Sequence, residues 1–154
     1  MKIKYSVVFV LALLVSACFG RVQPPDVQLA GVRVAGVGLK GATLIADLDV
    51  NNPNDVTART DSIVYELWAN TSGDTWTKVI ARNYGVPISL QDNRVTRVEV
   101  PIEFNFADLQ GPGRAILDRG TFNYRLQGTV YLKEPIRRNL PFSKTGNVSM
   151  QGVR

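Results

Sequence analysis

Residues 43–54 read Thr-Leu-Ile-Ala-Asp-Leu-Asp-Val-Asn-Asn-Pro-Asn, and this stretch decides the fold. Apolar residues alternate with largely polar ones over residues 44–50, which is the period-2 pattern of a β-strand with one buried face. Pro53 lacks the N–H that a sheet ladder requires, and it disfavours the helical region for Asn52. Asn side chains on either side of the proline can close a turn. The stretch therefore predicts a strand that ends in a fixed corner at Asn52, Pro53 and Asn54.

The same alternation returns along the rest of the chain. Residues 27–37 are interrupted by glycines, which predicts a bulged edge strand. Residues 62–69 and 76–81 flank a polar turn, and we expect a hairpin in which Trp68 and Trp76 pack against each other across the strands. Further strands are predicted at residues 86–90, 95–106, 122–132, 136–142 and 147–150. Pro101 lies inside the predicted strand at residues 95–106 and implies an edge position or a bulge there.

These segments predict one all-β domain, an antiparallel β-sandwich of about seven strands. Turn signals separate the strands at intervals of about ten residues, as in sandwiches that pack two sheets face to face. One short helix is expected at residues 114–119. The chain has 154 residues, of which 45% are hydrophobic and 20% charged, so its composition is that of an ordinary globular domain.

Composition excludes several classes of function. The chain has no histidine and its only cysteine is Cys18, so neither a Ser-His-Asp nor a Cys-His site nor a zinc site of these ligands can be assembled. Basic residues are scattered, and only Arg137 and Arg138 are adjacent. Without a basic cluster, we expect no binding to nucleic acid. No cofactor is predicted.

The N-terminus has the organisation of a secretory signal peptide. Lys2 and Lys4 precede an apolar run that is shorter than the roughly 20 residues of a membrane span. A retained membrane anchor helix is the alternative interpretation. Removal of residues 1–17 would lower the formal charge from +5 to +3.

The end of this segment, Val15-Ser16-Ala17-Cys18, resembles a bacterial lipobox at all four positions. The resemblance implies cleavage before Cys18, a diacylglycerol on its sulfur and a fatty acid such as palmitate on the new amine. Several acyl chains make a durable anchor, because each buried methylene contributes about 0.8 kcal/mol. Phe19 after the cysteine implies the outer membrane of the cell envelope if the organism has one. Residues 18–25 would form a short tether to a domain at residues 26–152.

With these features in order, the chain resembles the late embryogenesis abundant type 2 family, also described as the water stress and hypersensitive response (WHy) domain. The resemblance rests on the 44–50 strand with its Asn-Pro-Asn corner and on further segments in the same order. These are Tyr65, Pro87, Val98-Glu99-Val100-Pro101-Ile102, Tyr124-Arg125-Leu126-Gln127-Gly128, Leu140-Pro141-Phe142 and Gly146. The resemblance implies a fibronectin type III-like sandwich and a role in tolerance of desiccation or other stress. It brings no catalytic residues.

Two other classes of function compete with this interpretation. Asp47 and Asp49 share one face of a strand about 7 Å apart, a spacing suited to a pair of catalytic carboxylates. Asp47, Asp49, Asn51 and Asn54 also offer the hard oxygen ligands of calcium. We expect neither, because exposed acids are ordinary on a half-buried strand and the spacing matches no EF-hand loop.

The predicted function is that of a non-enzymatic stress-protection lipoprotein. Its partners would be the membrane, through the lipid anchor, and envelope proteins or lipids that it binds or shields. The alternative is an envelope assembly module that recruits a protein through a strand edge, with residues 27–37 as the candidate edge. The sequence leaves the oligomeric state and the identity of any ligand open.

Overall fold

Two antiparallel sheets pack face to face. The structure is a computed structural model that describes residues 22–70, 74–109 and 118–150. Eight strands lie within these ranges: β1 Asp26–Val37, β2 Gly41–Asn52, β3 Ala58–Asn70, β4 Thr77–Tyr84, β5 Ser89–Leu90, β6 Arg94–Asn105, β7 Thr121–Glu134 and β8 Arg138–Ser149. The first sheet has the order β1-β2-β6, and the second has the order β4-β3-β7-β8 with β5 paired to β3.

The core lies between the sheets and is built from the alternation in the sequence. On β2, Leu44, Ala46, Leu48 and Val50 are each no more than 1% exposed. On β3, the facing set is Ile63, Tyr65, Leu67 and Ala69, which are all buried. Each strand buries one face against the opposite sheet, which confirms the predicted all-β sandwich.

Two details differ from the expectations, and a third expectation falls largely outside the described residues. The two closing segments form one continuous strand, β8, because residues 138–149 pair with β7 without interruption. The long strand β6 ends at Asn105, and Phe106–Leu109 forms a short 3-10 helix. The helix expected at residues 114–119 falls largely outside the described residues, and of its members Asp118 and Arg119 are helical.

Both edges of the first sheet are as predicted. β1 carries irregularities between Leu29 and Gly31 and between Val34 and Gly36, so it is the expected bulged edge strand. β6 is the other edge, and Pro101 pairs with Ile45 in regular register. Proline is tolerated there because its missing N–H would have pointed away from the sheet.

Within the described residues, no helix has the length and apolarity needed to cross a membrane. The signal segment at residues 1–17 and Cys18 lie outside the described ranges, so their predicted roles stay predictions. The described part of the predicted tether begins at Val22.

Candidate functional site: the Asn-Pro-Asn corner and the outer face

The corner is a buried hydrogen-bonded cluster centred on Asn52, the last residue of β2. Asn52 is fully buried. Its Nδ2 donates to the carbonyl oxygens of Val56 at 2.9 Å, Leu90 at 3.2 Å and Gln91 at 3.3 Å. Its Oδ1 accepts from the backbone N–H of Asn54 at 3.2 Å and from Asn54 Nδ2 at 2.9 Å. One side chain thus satisfies backbone groups from two turns that would otherwise be buried without partners.

Asn54 connects the corner to the segment that precedes β1. Its Oδ1 accepts from the backbone N–H of Gln23 at 2.7 Å, and its Nδ2 donates to the Gln23 carbonyl oxygen at 2.8 Å. The Asn54 side-chain amide therefore makes with the Gln23 backbone the two hydrogen bonds that a residue of a neighbouring strand would make. Pro25, two residues further on, is buried. We refer to this pair of bonds as the Gln23–Asn54 clamp, and it holds the start of the described chain against the domain.

The turn that precedes β6 completes the cluster. The Asn93 backbone N–H donates to the Asn54 carbonyl oxygen at 3.0 Å, and Asn93 Nδ2 donates to Asp55 at 2.6 Å. Asn93 has a φ of 49°, a left-handed conformation that Asn tolerates better than most residues. Sequence reasoning identified Asn52 and Asn54 but missed Gln23 and Asn93. Gln23 contributes only its backbone, so no side-chain pattern announces it.

The carboxylates of Asp47 and Asp49 lie on the outer face of the first sheet and are both paired with arginines. Asp49 accepts two hydrogen bonds from Arg97, at 2.8 and 2.9 Å. These bonds, assisted by the positive charge of Arg97, hold the pKa of Asp49 below its usual range despite a smaller opposing effect of burial. Asp47 lies 3.3 Å from Arg33, which also contacts Glu99 at 2.8 Å. The two acids are thus held as charged members of a surface network.

The structure does not assemble the calcium ligands that the sequence offers. Asn51 is exposed on the outer face beside Asp49, whereas the Asn54 side chain is committed to Asn52 and Gln23 in the corner. Across the described ranges, no group of three or more His, Cys, Asp or Glu residues is positioned to hold a metal ion. The lowered pKa of Asp49 also makes its carboxylate a poor general acid or base.

The expected tryptophan pair is not formed. Lys78, not Trp76, is the register partner of Trp68 across β3 and β4. The Lys78 ammonium lies 4.9 Å from the Trp68 ring centroid, and the Arg125 guanidinium lies 4.3 Å from that of Trp76. The prediction was wrong because the ladder between β3 and β4 ends with the pair Ala69 and Thr77, which leaves Trp76 outside β4. Each indole is covered by a cation instead.

An open cleft of about 530 Å³ runs beside β6, where the edges of the two sheets separate. Residues 36–38 and 41–43 of the β1–β2 hairpin form much of its lining. Arg82 on β4 and Glu103 on β6 also line it. They also line an adjoining hollow of about 420 Å³, with Tyr65 at its side. The Tyr65 hydroxyl donates to the Pro101 carbonyl oxygen at 3.2 Å, and burial raises the pKa of Tyr65. Sequence periodicity gave no sign of this cleft, since it arises from the divergence of two edges.

The opposite side of the sandwich is closed. Lys144 of β8 donates through Nζ to the carbonyl oxygens of Leu29 at 3.1 Å and Ala30 at 2.5 Å. These carbonyls sit at the first bulge of β1, where the regular ladder is interrupted. Burial raises the pKa of Tyr124, and a hydrogen bond with the Val32 backbone partly offsets that rise. The β1 edge that the sequence offered to a partner is therefore partly occupied by the protein itself.

Two aromatic residues pack over glycines between β7 and β8. Phe142 is the register partner of Gly128, and Tyr124 is the partner of Gly146. A Cβ added to Gly128 would lie 2.4 Å from the Val64 carbonyl oxygen and 2.5 Å from the Phe142 ring. A Cβ on Gly146 would lie 2.7 Å from the Tyr124 hydroxyl. Only glycine leaves room for these rings, so this part of the motif is structural.

Known proteins share this arrangement. The family model described as late embryogenesis abundant protein matches residues 47–146, which is more than half of the chain. The chain belongs to the late embryogenesis abundant type 2 family. The match begins within β2 and ends at Gly146, so it contains the corner, the cleft-lining part of β6 and both aromatic–glycine pairs. Membership supports a stress-related role of the type associated with late embryogenesis abundant proteins.

Solved structures share the fold of this late embryogenesis abundant domain. The solution structure of a protein from Arabidopsis thaliana is 16% identical, with a TM-score of 0.64 and coverage of 90% of this chain and 91% of that chain. The solution structure of a putative late embryogenesis abundant protein is 19% identical, with a TM-score of 0.62 and coverage of 98% and 89%. A crystal structure of a protein from Archaeoglobus fulgidus is 13% identical, with a TM-score of 0.59 and coverage of 80% and 94%. Among curated proteins, no sequence matches significantly.

Proposed function

We propose that this protein is a membrane-tethered, non-enzymatic lipoprotein that protects the cell envelope during loss of water by binding or shielding its components. The observation that carries the proposal is the combination of a late embryogenesis abundant type 2 domain with a four-residue lipobox ending at the only cysteine. The family supports the stress-related role, and the lipobox supports the location.

The contacts of the domain fit a protein that must remain folded as water is withdrawn. The outer-face acids Asp47 and Asp49 are paired with arginines, and the pair of Asp49 with Arg97 is bidentate. The attraction between opposite charges grows as the surrounding dielectric constant falls, so these pairs hold more strongly in a drying surface layer. The corner and the Lys144 contacts satisfy backbone groups internally and depend little on water.

Absence of catalysis is part of the proposal. The described acids that lie near each other on the outer face are neutralised by arginines, and no histidine exists in the chain. In samples in which the Asp47→Asn, Asp49→Asn double variant remains folded after drying, protection should therefore be unchanged. A loss of protection in that double variant, with the fold intact, would reopen a chemical role for the two carboxylates.

The lipid anchor is tested by intact mass spectrometry of the membrane-extracted protein beside Cys18→Ala expressed in the same host. We expect loss of residues 1–17 and added acyl chains on Cys18, with an unprocessed Cys18→Ala chain. A soluble product without acyl chains would overturn the tether.

Protection is tested by drying and rehydrating vesicles that carry the acylated protein and an encapsulated dye. We expect better dye retention than with a non-acylated chain that begins at Phe19, at the same total concentration, because the tether concentrates the domain at the surface. An acylated Gly128→Val protein, which cannot pack β7 against Phe142, provides the control for the folded domain. Equal retention in all three samples would refute a protective role at the bilayer.

Recruitment of a protein partner is the second candidate function, and the cleft between β4 and β6 is the surface that favours it. Arg82 and Glu103 both line this cleft, and neither makes an ion pair within the described residues. The β1 edge is a weaker candidate because of its bulges and Lys144. A photo-crosslinker at Asn83 should capture one discrete envelope protein, and Arg82→Glu should abolish that product. Crosslinks that persist in the variant would count against the cleft.

A further inference from the structure

We infer that the Gln23–Asn54 clamp fixes the orientation of the domain at the membrane, so that the corner end faces the bilayer. The corner end is the set of turns at residues 22–25, 53–57, 91–93 and 135–137. This inference rests on the proposed lipid tether at Cys18. It adds a specific surface and a specific partner, the phospholipid bilayer that holds the anchor.

The chain between the lipid and the domain is short. Gln23 is held to Asn54 by two hydrogen bonds of 2.7 and 2.8 Å, and Pro25 is buried. Five peptide units separate Cys18 from Gln23, and a fully extended chain of that length spans at most about 18 Å. With the clamp closed, the corner end therefore cannot lie further than this from the acylated residue.

The turns of the corner end lie together at one end of the sandwich. β1 begins opposite the end of β2, where Asp26 is the partner of Asn51, and β6 begins opposite Asn52. In the second sheet, β7 ends where β3 begins, with Glu134 opposite Arg59. The 135–137 turn between β7 and β8 thus lies at the same end of the sandwich as the corner.

Exposed apolar and basic side chains lie at that end. Val22 and Val56 are 42% and 46% exposed there, and neither belongs to the core. Arg137 and Arg138 are exposed and form no ion pair within the described chain. Guanidinium groups donate well to phosphate oxygens, and small apolar side chains are tolerated at the headgroup boundary. These valine and arginine side chains can contact a phospholipid surface. The exposed Asp55 and Asp92 of the same turns cannot add to that contact, so the position of the tether, and not the charge of this end, carries the inference.

Apolar exposure alone would not select this end. The most exposed large apolar residue is Leu39, at the tip of the β1–β2 hairpin at the opposite end. The twelve residues of β2 separate the hairpin tip from the corner, a distance of roughly 36 Å at about 3.3 Å per residue. The start of β1 opposite Asn51 places the tether at the corner end, and the clamp shortens that tether by holding Gln23 against Asn54.

The test uses the acylated full-length protein in phospholipid vesicles. Cys18 is the only cysteine and its sulfur would carry lipid, so a fluorescent donor can be placed uniquely through Val56→Cys or Leu39→Cys. Energy transfer to an acceptor on the lipid headgroups then reports the distance of each end. We expect transfer from position 56 to be several-fold higher than from position 39.

Two variants test the clamp itself. Gln23→Pro removes the backbone N–H that donates a hydrogen bond to Asn54 Oδ1, and it lies outside the strands of the domain. Gln23→Ala keeps this N–H and is the matched control. Asn54→Ala removes both bonds. We expect Gln23→Pro and Asn54→Ala to bring the two transfer efficiencies towards a common value, and Gln23→Ala to preserve the difference.

Equal transfer from both positions in the parent protein would overturn the fixed orientation. A difference that survives both Gln23→Pro and Asn54→Ala would overturn the role of the clamp. Failure of both labelled proteins to co-sediment with vesicles would instead refute the lipid tether, and the orientation with it. Sedimentation is measured on the same samples, so the two failures are distinguished.

Discussion

Replacing Asn52 by Ala should lower the unfolding free energy of the domain by an amount that follows from the hydrogen bonds of Asn52. The substitution removes the partners of the buried Leu90 carbonyl, the Asn54 backbone N–H and Asn54 Nδ2. Each buried polar group left without a partner costs about 1–3 kcal/mol. Asn54 keeps its bonds to Gln23, so we expect the lower part of the summed range, about 3–4 kcal/mol of unfolding free energy. That is a large share of the roughly 5–15 kcal/mol typical of a domain.

The measurement is urea unfolding of a chain that begins at Val22, followed by the fluorescence of its two tryptophans. Asn51→Ala is the matched control, because Asn51 is the neighbouring residue on the exposed face of β2. It should change the stability by less than about 0.5 kcal/mol. Asn52→Asp keeps the shape but sets a carboxylate oxygen against the carbonyls that Nδ2 now contacts, so it should destabilise at least as strongly at neutral pH.

A loss below about 1 kcal/mol for Asn52→Ala would refute this reasoning, because it would mean that water replaces the amide at no cost. The same conclusion would follow if Asn51→Ala and Asn52→Ala were equally destabilising. Either outcome would make the corner a solvated turn rather than a structural centre.

Three further expectations concern packing, the closed side of the sandwich and pH. Gly128→Ala should cost about 1–3 kcal/mol in unfolding free energy, because its Cβ would lie 2.4 Å from a backbone carbonyl, whereas Gly31→Ala, with nothing within 4 Å, should be nearly neutral. Lys144→Met should speed amide hydrogen exchange in β1 while leaving β6 unchanged, and uniform exchange would argue against its bridging role. Asp49 and Glu66 have pKa values lowered by their hydrogen bonds with Arg97 and with Lys78 and Gln127, from ordinary values of 3.8 and 4.5. The two pKa values are lowered only in the folded state. The two carboxylates therefore contribute their full stabilisation at a pH above their ordinary pKa values, and this stabilisation is lost as the pH falls through the lowered pKa values. The Asp49→Asn, Glu66→Gln double variant should therefore show a flatter acid limb of stability against pH, and an unchanged limb would contradict this assignment.

Local pattern determined which strands exist and which faces they bury. The alternation in residues 44–50 is sufficient because period-2 hydrophobicity has one solution in a sheet, with every apolar side chain on the same face. The Asn-Pro-Asn corner is equally local, since it follows from a missing N–H and restricted backbone angles. At Pro101 the missing N–H left an edge position or a bulge open, and the structure shows the edge position. The strand pattern also predicted the sandwich, which the two packed sheets confirm. The resemblance predicted the family, and the family match confirms it.

Pairing between distant segments decided which side chains contact each other across neighbouring strands. The bulge before Trp68 places Lys78 opposite Trp68. This one-residue shift in register cannot be predicted from the type of either residue. Likewise, Asp49 is a surface ion-pair partner rather than a free carboxylate only because Arg97 is its neighbour across β2 and β6.

The sequence by itself determined the all-β class, the corner, the excluded chemistries and the lipobox that predicts an anchor. Each of these depends on residue type or on neighbours within a few positions. Only the tertiary structure decided that Asn54 clamps Gln23, that Lys144 closes one side of the sandwich and that a cleft opens on the other. These features join residues 31 or more positions apart, or arise where two sheet edges diverge, and contacts of that kind are fixed by the packing of the whole domain.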